Sequence, residues 1–418
     1  MTSPAATDPV LFAGGLLFDG QTAPAPGLGL LARQGRIVEV GPLSRFDGFT
    51  GPRVDTAGGT LMPGLIDAHV HLSLEATWDP LGTLRARPPG DLTLRILENA
   101  QATLAAGFTT VRDLGGADWF EMSVRDAIRA GRHPGPTIRC AGKVITITGG
   151  HGAWIGIESD GPEAFRAAVR KNVKHGADVI KVMATGGVLT PGVDPLAAHP
   201  TLAELSAAVE TAKDLGLRVA AHAQGAEGIR RAVLAGVTSV EHGFELTDEL
   251  IALMAEKGAW LCGTLASMDR LVAAIDRVPP YVRAKVERFS AMHFDSFRRY
   301  VRAGGKVALA TDAGTPGNHH GGNGLELTKM VELGMTPLAA LVAGTSSAAD
   351  LLDLPDAGRL RAGAVADLLL VAGDPSRDIA LAANPANHRG IWKGGAPFTA
   401  PMPGAPVPAF ASAGAAGF

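Results

Sequence analysis

The sequence predicts an α/β fold: a (β/α)₈ TIM barrel carrying a small β-sandwich domain built from both chain ends. Three observations predict it. From Thr60 onward apolar strand-like segments alternate with amphipathic stretches, eight such strands can be counted, and β texture without helices marks each end of the chain. At 418 residues the chain suits a barrel of roughly 250–300 residues plus an accessory domain.

The first segment, Val10 to Ala57, reads as short strands at Leu11–Phe12, Leu28–Ala32 and Arg36–Val40, punctuated by Gly14-Gly15, Gly35 and Gly41-Pro42. The eight barrel strands are expected at Leu61–Ala68, Phe108–Arg112, Thr137–Ala141, Val179–Met183, Arg218–Ala223, Ser239–His242, Trp260–Thr264 and Val307–Thr311. Between them Thr93–Ala106, Pro162–His175 and Thr201–Leu215 have the Ala/Leu/Glu/Arg texture of helices, as βα units require. After the helical stretch Pro337–Leu352, strands return at Ala366–Val371 and Ile391-Trp392. The expected division is therefore a composite sandwich from 1–58 plus 357–402, a barrel from 59–356, and an Ala/Pro/Gly-rich flexible tail from 403–418.

Composition narrows the function. With 46% hydrophobic and 19% charged residues, 54 Gly and 28 Pro, the profile is that of a soluble, loop-rich enzyme. The formal net charge of −3 and the lack of a Lys/Arg run argue against nucleic acid or an anionic membrane as partner, and for a small molecule. Met1 to Val10 shows no basic region leading into an apolar one, and no apolar stretch reaches the ~18–20 residues of a membrane span. The cytoplasm is the expected compartment. Cys140 and Cys262 alone provide neither a disulfide framework nor a cysteine-based zinc site.

Active sites of such barrels lie at the C-terminal strand ends. The first strand ends Asp67-Ala68-His69-Val70-His71, and alternation sends Asp67, His69 and His71 to one side. Two imidazoles at i, i+2 can chelate one cation. Further strand ends carry Lys181 in Ile180-Lys181-Val182-Met183, His222 in Ala221-His222-Ala223, His242 in Glu241-His242-Gly243 and Asp312 in Ala310-Thr311-Asp312-Ala313. Each taken singly is more often a hydrogen-bonded structural residue. Burying all of them at one barrel mouth is costly unless a metal cluster resolves the conflict, and imidazole with carboxylate suits Zn²⁺ and its neighbours. Asp67 is better read as support for adjacent backbone.

The segments Met62-Pro63-Gly64-Leu65-Ile66-Asp67-Ala68-His69-Val70-His71, Thr148-Gly149-Gly150-His151-Gly152, Ile180-Lys181-Val182-Met183-Ala184-Thr185-Gly186-Gly187, Glu241-His242-Gly243 and Thr311-Asp312-Ala313-Gly314-Thr315-Pro316 together resemble the amidohydrolase superfamily. Within it they look like the branch of Xaa-Pro dipeptidases and ochratoxin-type amidases, often labelled imidazolonepropionase-like. The resemblance spans nearly the whole chain. It implies two divalent cations, most aptly Zn²⁺: His69, His71 and Asp312 hold the more buried one, His222 and His242 the outer one. Lys181 bridges them as a carbamate.

The resemblance further implies a bridging hydroxide that attacks an amide or peptide carbonyl of an N-acyl amino acid or dipeptide, including Xaa-Pro bonds or ochratoxin A. Asp312 passes the proton to the leaving nitrogen, and His151 stabilises the oxyanion or holds a substrate carboxylate. Gln224 stands where some relatives carry a second His, and with His151 and His320 it is a candidate substrate contact; a neutral amide there cannot carry a proton. His319 is a weaker candidate, and Arg270, Arg283, Tyr281 and Tyr300 are marginal ones for clamping a carboxylate. Homo-oligomers are usual in the family. The alternative reading is a cyclic amide, lactone or imidazolone hydrolase, against which Lys181 argues; a non-enzymatic scaffold is disfavoured because all six ligand positions are filled.

Overall fold

The computed structural model describes residues 8–399, so the tail expected over 403–418 lies outside the described residues. Seven parallel strands organise the centre: β1 (Leu65–Val70), β2 (Phe108–Asp113), β3 (Thr137–Cys140), β4 (Ile180–Met183), β5 (Val219–Ala223), β6 (Ser239–His242) and β7 (Trp260–Cys262). The first three form one sheet in that order; the last four form another, extended beyond β4 by Val144–Thr146 and Gly156–Glu158. Helices follow the strands, as at Pro89–Ala105, Pro162–Lys174 and Leu202–Asp214, close to the expected ranges. Thr201 and Glu204 start the last of these by reciprocal side-chain and backbone hydrogen bonds, satisfying donors that a helix N-terminus leaves free.

The segment read as an eighth strand does not form a ladder. It makes single parallel bridges, Leu261 with Val307 and Val70 with Ala313. Two features explain this. Asp312 sits at φ 59°, which breaks the extended conformation, and the Thr311 amide donates to the Asp67 carboxylate rather than to a strand carbonyl. Backbone bonds nevertheless tie the segment to both neighbours, from Leu261 N to Lys306 O at 2.9 Å and from Ala68 N to Leu309 O at 2.8 Å. Between the two sheets, Asp178 N reaches Cys140 O at 2.8 Å.

The chain ends form two further sheets. One joins Val10–Ala13, Leu28–Arg33, Arg36–Pro42 and Arg53–Asp55; the other joins Leu16–Leu17, Gly59–Pro63, Leu368–Ala372, His388–Lys393 and Ala396–Pro397. Phe12, Leu30, Ile37, Leu61 and Leu368 share one buried cluster, and Phe12 meets Trp392 edge to face at 5.0 Å. Among the described residues, no helix is long and apolar enough to cross a membrane.

The expected strand Leu61–Ala68 is two strands. Gly59–Pro63 pairs antiparallel with Leu368–Ala372, and the chain then turns at Gly64 into β1. Gly64 permits the switch because Thr109 packs against its backbone: a Cβ would lie 2.2 Å from Thr109 Oγ1 and 2.3 Å from its Cγ2. Gly64→Ala therefore overpacks a rigid junction and is expected to lower stability by about 1–3 kcal/mol, read as a drop in melting temperature.

Candidate active site

Strand alternation delivers His69 to the C-terminal rim of β1, with His71 one step beyond. Their Nε2 atoms lie 3.3 Å apart, and Asp312 Oδ1 stands 3.4 Å from the first and 3.2 Å from the second. One ligand atom from each falls within 4.8 Å of the others, the only such group of three found among the described residues. His222 ends β5 and His242 ends β6, with ring centroids 4.5 Å apart; His242 is 5.4 Å from His69. Lys181, on β4 and 1% exposed, points its Nζ into the same space with no hydrogen-bond partner among the described residues.

Each of the four imidazoles has one ring nitrogen engaged. His69 Nδ1 meets Glu241 Oε2 at 2.9 Å, His71 Nδ1 meets Gly115 O at 2.8 Å, His222 Nε2 meets Gly186 O at 2.7 Å, and His242 Nδ1 meets Thr264 Oγ1 at 2.7 Å. Such bonds fix ring orientation and leave the other nitrogen for a ligand. Backbone strain gathers here too: His242, Thr264 and Asp312 occupy the left-handed region at φ 74°, 51° and 59°.

The electrostatics favour neutral rings at three of the four histidines. Burial holds His69, His222 and His242 well below the ordinary histidine value. For His71 burial acts in the same direction, but the hydrogen bond and charge of Asp312 outweigh it and raise its pKa. Burial likewise works against ionised Asp312, and His69, His71 and Lys181 overcome it, holding its pKa low. Lys181 is lowered to about 8 by burial, against the pull of Glu241 and Asp312. Imidazoles with free lone pairs, a carboxylate and an orphaned buried amine fit a divalent cation site better than a dry polar core, in which that amine has no partner.

His151 comes over this group from the glycine-rich loop after β3. Its ring lies 4.4 Å from that of His222, and its Nδ1 meets Thr190 Oγ1 at 2.7 Å. The loop approaches closely because position 187 is glycine: a Cβ there would sit 2.4 Å from the His151 ring. Gln224 lines the same cavity, and its carboxamide makes no hydrogen bond among the described residues.

Not every residue singled out in the sequence converges. His320 lies outside the cavity lining: its Nε2 faces the carbonyls of His71 and Leu74, both at 3.2 Å, and braces the loop after β1. His319 is exposed. Arg270, Arg283, Tyr281 and Tyr300 are also absent from the lining; Arg283 pairs with Asp276, and Tyr300 donates to Ala259 O. Asp67 supports backbone as expected, accepting from the amides of His69 and Thr311 and from Thr311 Oγ1 and Asn323 Nδ2.

Sequence reasoning missed Arg112 and the role of Glu241. The buried Arg112 donates to Ala68 O at 2.6 Å, Ser239 Oγ at 3.2 Å and Glu241 Oε1 at 3.0 Å, so one fully buried carboxylate touches both Arg112 and His69. A charged residue within a fully buried strand, Arg112 in Phe108–Asp113 and Glu241 in Ser239–His242, was the available signal. Glu241→Gln weakens the anchor of His69 and is expected to reduce metal affinity about 10–100-fold, measured as metal retained against a graded chelator. His293, buried and bonded through Nε2 to Gly263 O, also lines the cavity and carried no motif.

Comparison with known proteins gives one consistent answer. The amidohydrolase family model matches residues 60–397. An ochratoxinase of Aspergillus niger is 32% identical over 371 residues, covering 82% of this chain and 76% of the ochratoxinase. An imidazolonepropionase of Symbiobacterium thermophilum is 27% identical over 399 residues, covering 83% and 84%. The crystal structure of a Xaa-Pro dipeptidase with methionine in its active site superposes with a TM-score of 0.86 at 32% identity, covering 94% of this chain and all of that one.

Proposed function

The chain belongs to the amidohydrolase family, and from that premise we propose that it hydrolyses an amide bond of a small molecule with two divalent cations. His69, His71 and Asp312 would hold one and His222 and His242 the other. Lys181 would join them: its amine adds to CO₂, forming an N–C bond and releasing a proton, and the resulting carbamate is an anionic bidentate bridge. When bound, such cations, Zn²⁺ being the best match to these donors, make hydroxide available near neutral pH and polarise the scissile carbonyl.

The chain's own residues complete the reaction. Asp312, kept ionised by its imidazole neighbours, accepts the proton of the attacking water and delivers it to the departing nitrogen. His151 has Nε2 free once Thr190 engages Nδ1, and in the tautomer protonated at Nε2 it donates to the oxyanion. Gln224 contacts the substrate beside it.

One observation carries this reading: side chains spread from position 69 to position 312 meet in one cavity around an amine that has no partner of its own. The backbone bonds on both flanks of 306–313 support closure of the parallel strands into an eight-stranded barrel over 59–356. The shared cluster of the two end sheets supports a composite sandwich from 1–58 and 357–402.

Among the finer readings of substrate, the apolar and aromatic wall that includes Trp154, Leu189, Phe244 and Leu271 favours an amide with a large apolar group over a small Xaa-Pro dipeptide. The test is a panel of N-acyl amino acids, dipeptides including Xaa-Pro, and ochratoxin A, assayed with metal-replete and chelator-stripped enzyme. Hydrolysis that disappears on stripping and returns with Zn²⁺ is expected. Full activity in stripped enzyme, or none in fully loaded enzyme, defeats the proposal.

A further inference from the structure

The geometry points to an uncharged substrate: an amide whose leaving side carries no carboxylate, held by an apolar wall and by the neutral carboxamide of Gln224. This rests on the amide-hydrolase reading and specifies its substrate class. No arginine lines the cavity among the described residues, and its one lysine, Lys181, lies among the clustered imidazoles. Cations on the surrounding segments are engaged elsewhere. Lys285 Nζ donates to Gly187 O at 2.9 Å and Thr190 O at 2.7 Å, Arg277 lies over the Trp78 ring at 4.9 Å, and Arg283 pairs with Asp276 at 2.9 Å.

With His151 given to the oxyanion, Gln224 is a further polar group in the lining, 3% exposed and with its carbonyl oxygen Oε1 unpartnered among the described residues. A carboxamide matches a neutral N–H or C=O with good bonds, whereas a carboxylate receives from it one uncharged donor, weaker than the forked bonds of an arginine. A carboxylate seated against that wall loses hydration with no arginine or lysine side chain among the described residues turned toward it. A neutral aromatic or branched group loses nothing and gains contact with Trp154, Leu189, Phe244 and Leu271.

The test uses a matched set sharing one scissile bond: N-benzoyl-phenylalanine, its carboxamide, and N-phenethylbenzamide, in which hydrogen replaces the carboxylate. With metal-loaded enzyme, kcat/KM is expected to be at least about tenfold higher for the two neutral compounds, mainly through KM. Gln224→Arg is expected to shrink that gap about tenfold or more by favouring the acid. Calorimetric binding of the same set reads the preference independently of turnover. Faster cleavage or tighter binding of the acid, or binding of none of the three, overturns the inference. Tighter binding of the neutral compounds without cleavage of any member overturns the hydrolase reading alone.

Discussion

Replacing Lys181 by alanine is expected to lower amide hydrolysis by at least about 10³-fold while the fold persists. The asymmetry follows from the surroundings of Nζ. The amine is buried and hydrogen-bonded to nothing among the described residues, so removing it deletes an unpartnered polar atom, which offsets part of what is lost with its packed stem and its pull on Asp312, and metal-free protein should still unfold cooperatively. Function has no such tolerance, because a methyl group cannot become the anionic bridge between the His69–His71 side and the His222–His242 side. The assay is steady-state turnover beside metal content by elemental analysis; content should fall with activity. Unchanged turnover in this variant removes the two-cation mechanism.

The second large effect is expected at Asp312. Asparagine keeps its shape and hydrogen-bonding reach to His71 but cannot accept a proton, so kcat should fall by about 10²–10⁴-fold at saturating Zn²⁺ with KM changed far less. The pH profile adds a sign. Burial alone would raise the Asp312 pKa, yet in the metal-free site His69, His71 and Lys181 together depress it. Any acid limb of kcat/KM that belongs to this group should vanish in Asp312→Asn. A limb that persists unshifted, with kcat intact, assigns proton transfer elsewhere.

The placement of the cavity residues was legible because strand periodicity and residue type act locally. In Asp67-Ala68-His69-Val70-His71 a two-residue repeat is enough to put three polar side chains on one side, and Lys181, His222 and His242 each stand in or next to a short strand-like segment. What was not legible depends on distant partners. Arg112 and Glu241 neutralise each other across 129 positions, and neither residue's neighbours announce the pairing. His320 has the same letters as a ligand, and only the two carbonyls it faces reveal a brace. At Gly64 the apolar residues Leu61-Met62 and Leu65-Ile66 flank the split on both sides, so hydrophobicity does not show where one sheet ends and the next begins; the Pro63-Gly64 dipeptide is the one local mark of it. Likewise the ladder failed at 307–311 because Asp67, a side chain 244 positions away, took over an amide that a neighbouring strand would otherwise have bonded.

The pairing of Gly59–Pro63 with Leu368–Ala372, in which Leu61 faces Leu370, sets a timetable for synthesis. An emerging polypeptide exposes Leu61 and Met62 long before their partners leave the ribosome, and contacts of such wide sequence separation form slowly. The nascent chain must therefore wait with an unpaired, hydrophobic strand, and a message truncated ahead of codon 368 would yield a product prone to aggregate even though every metal-binding position had been translated.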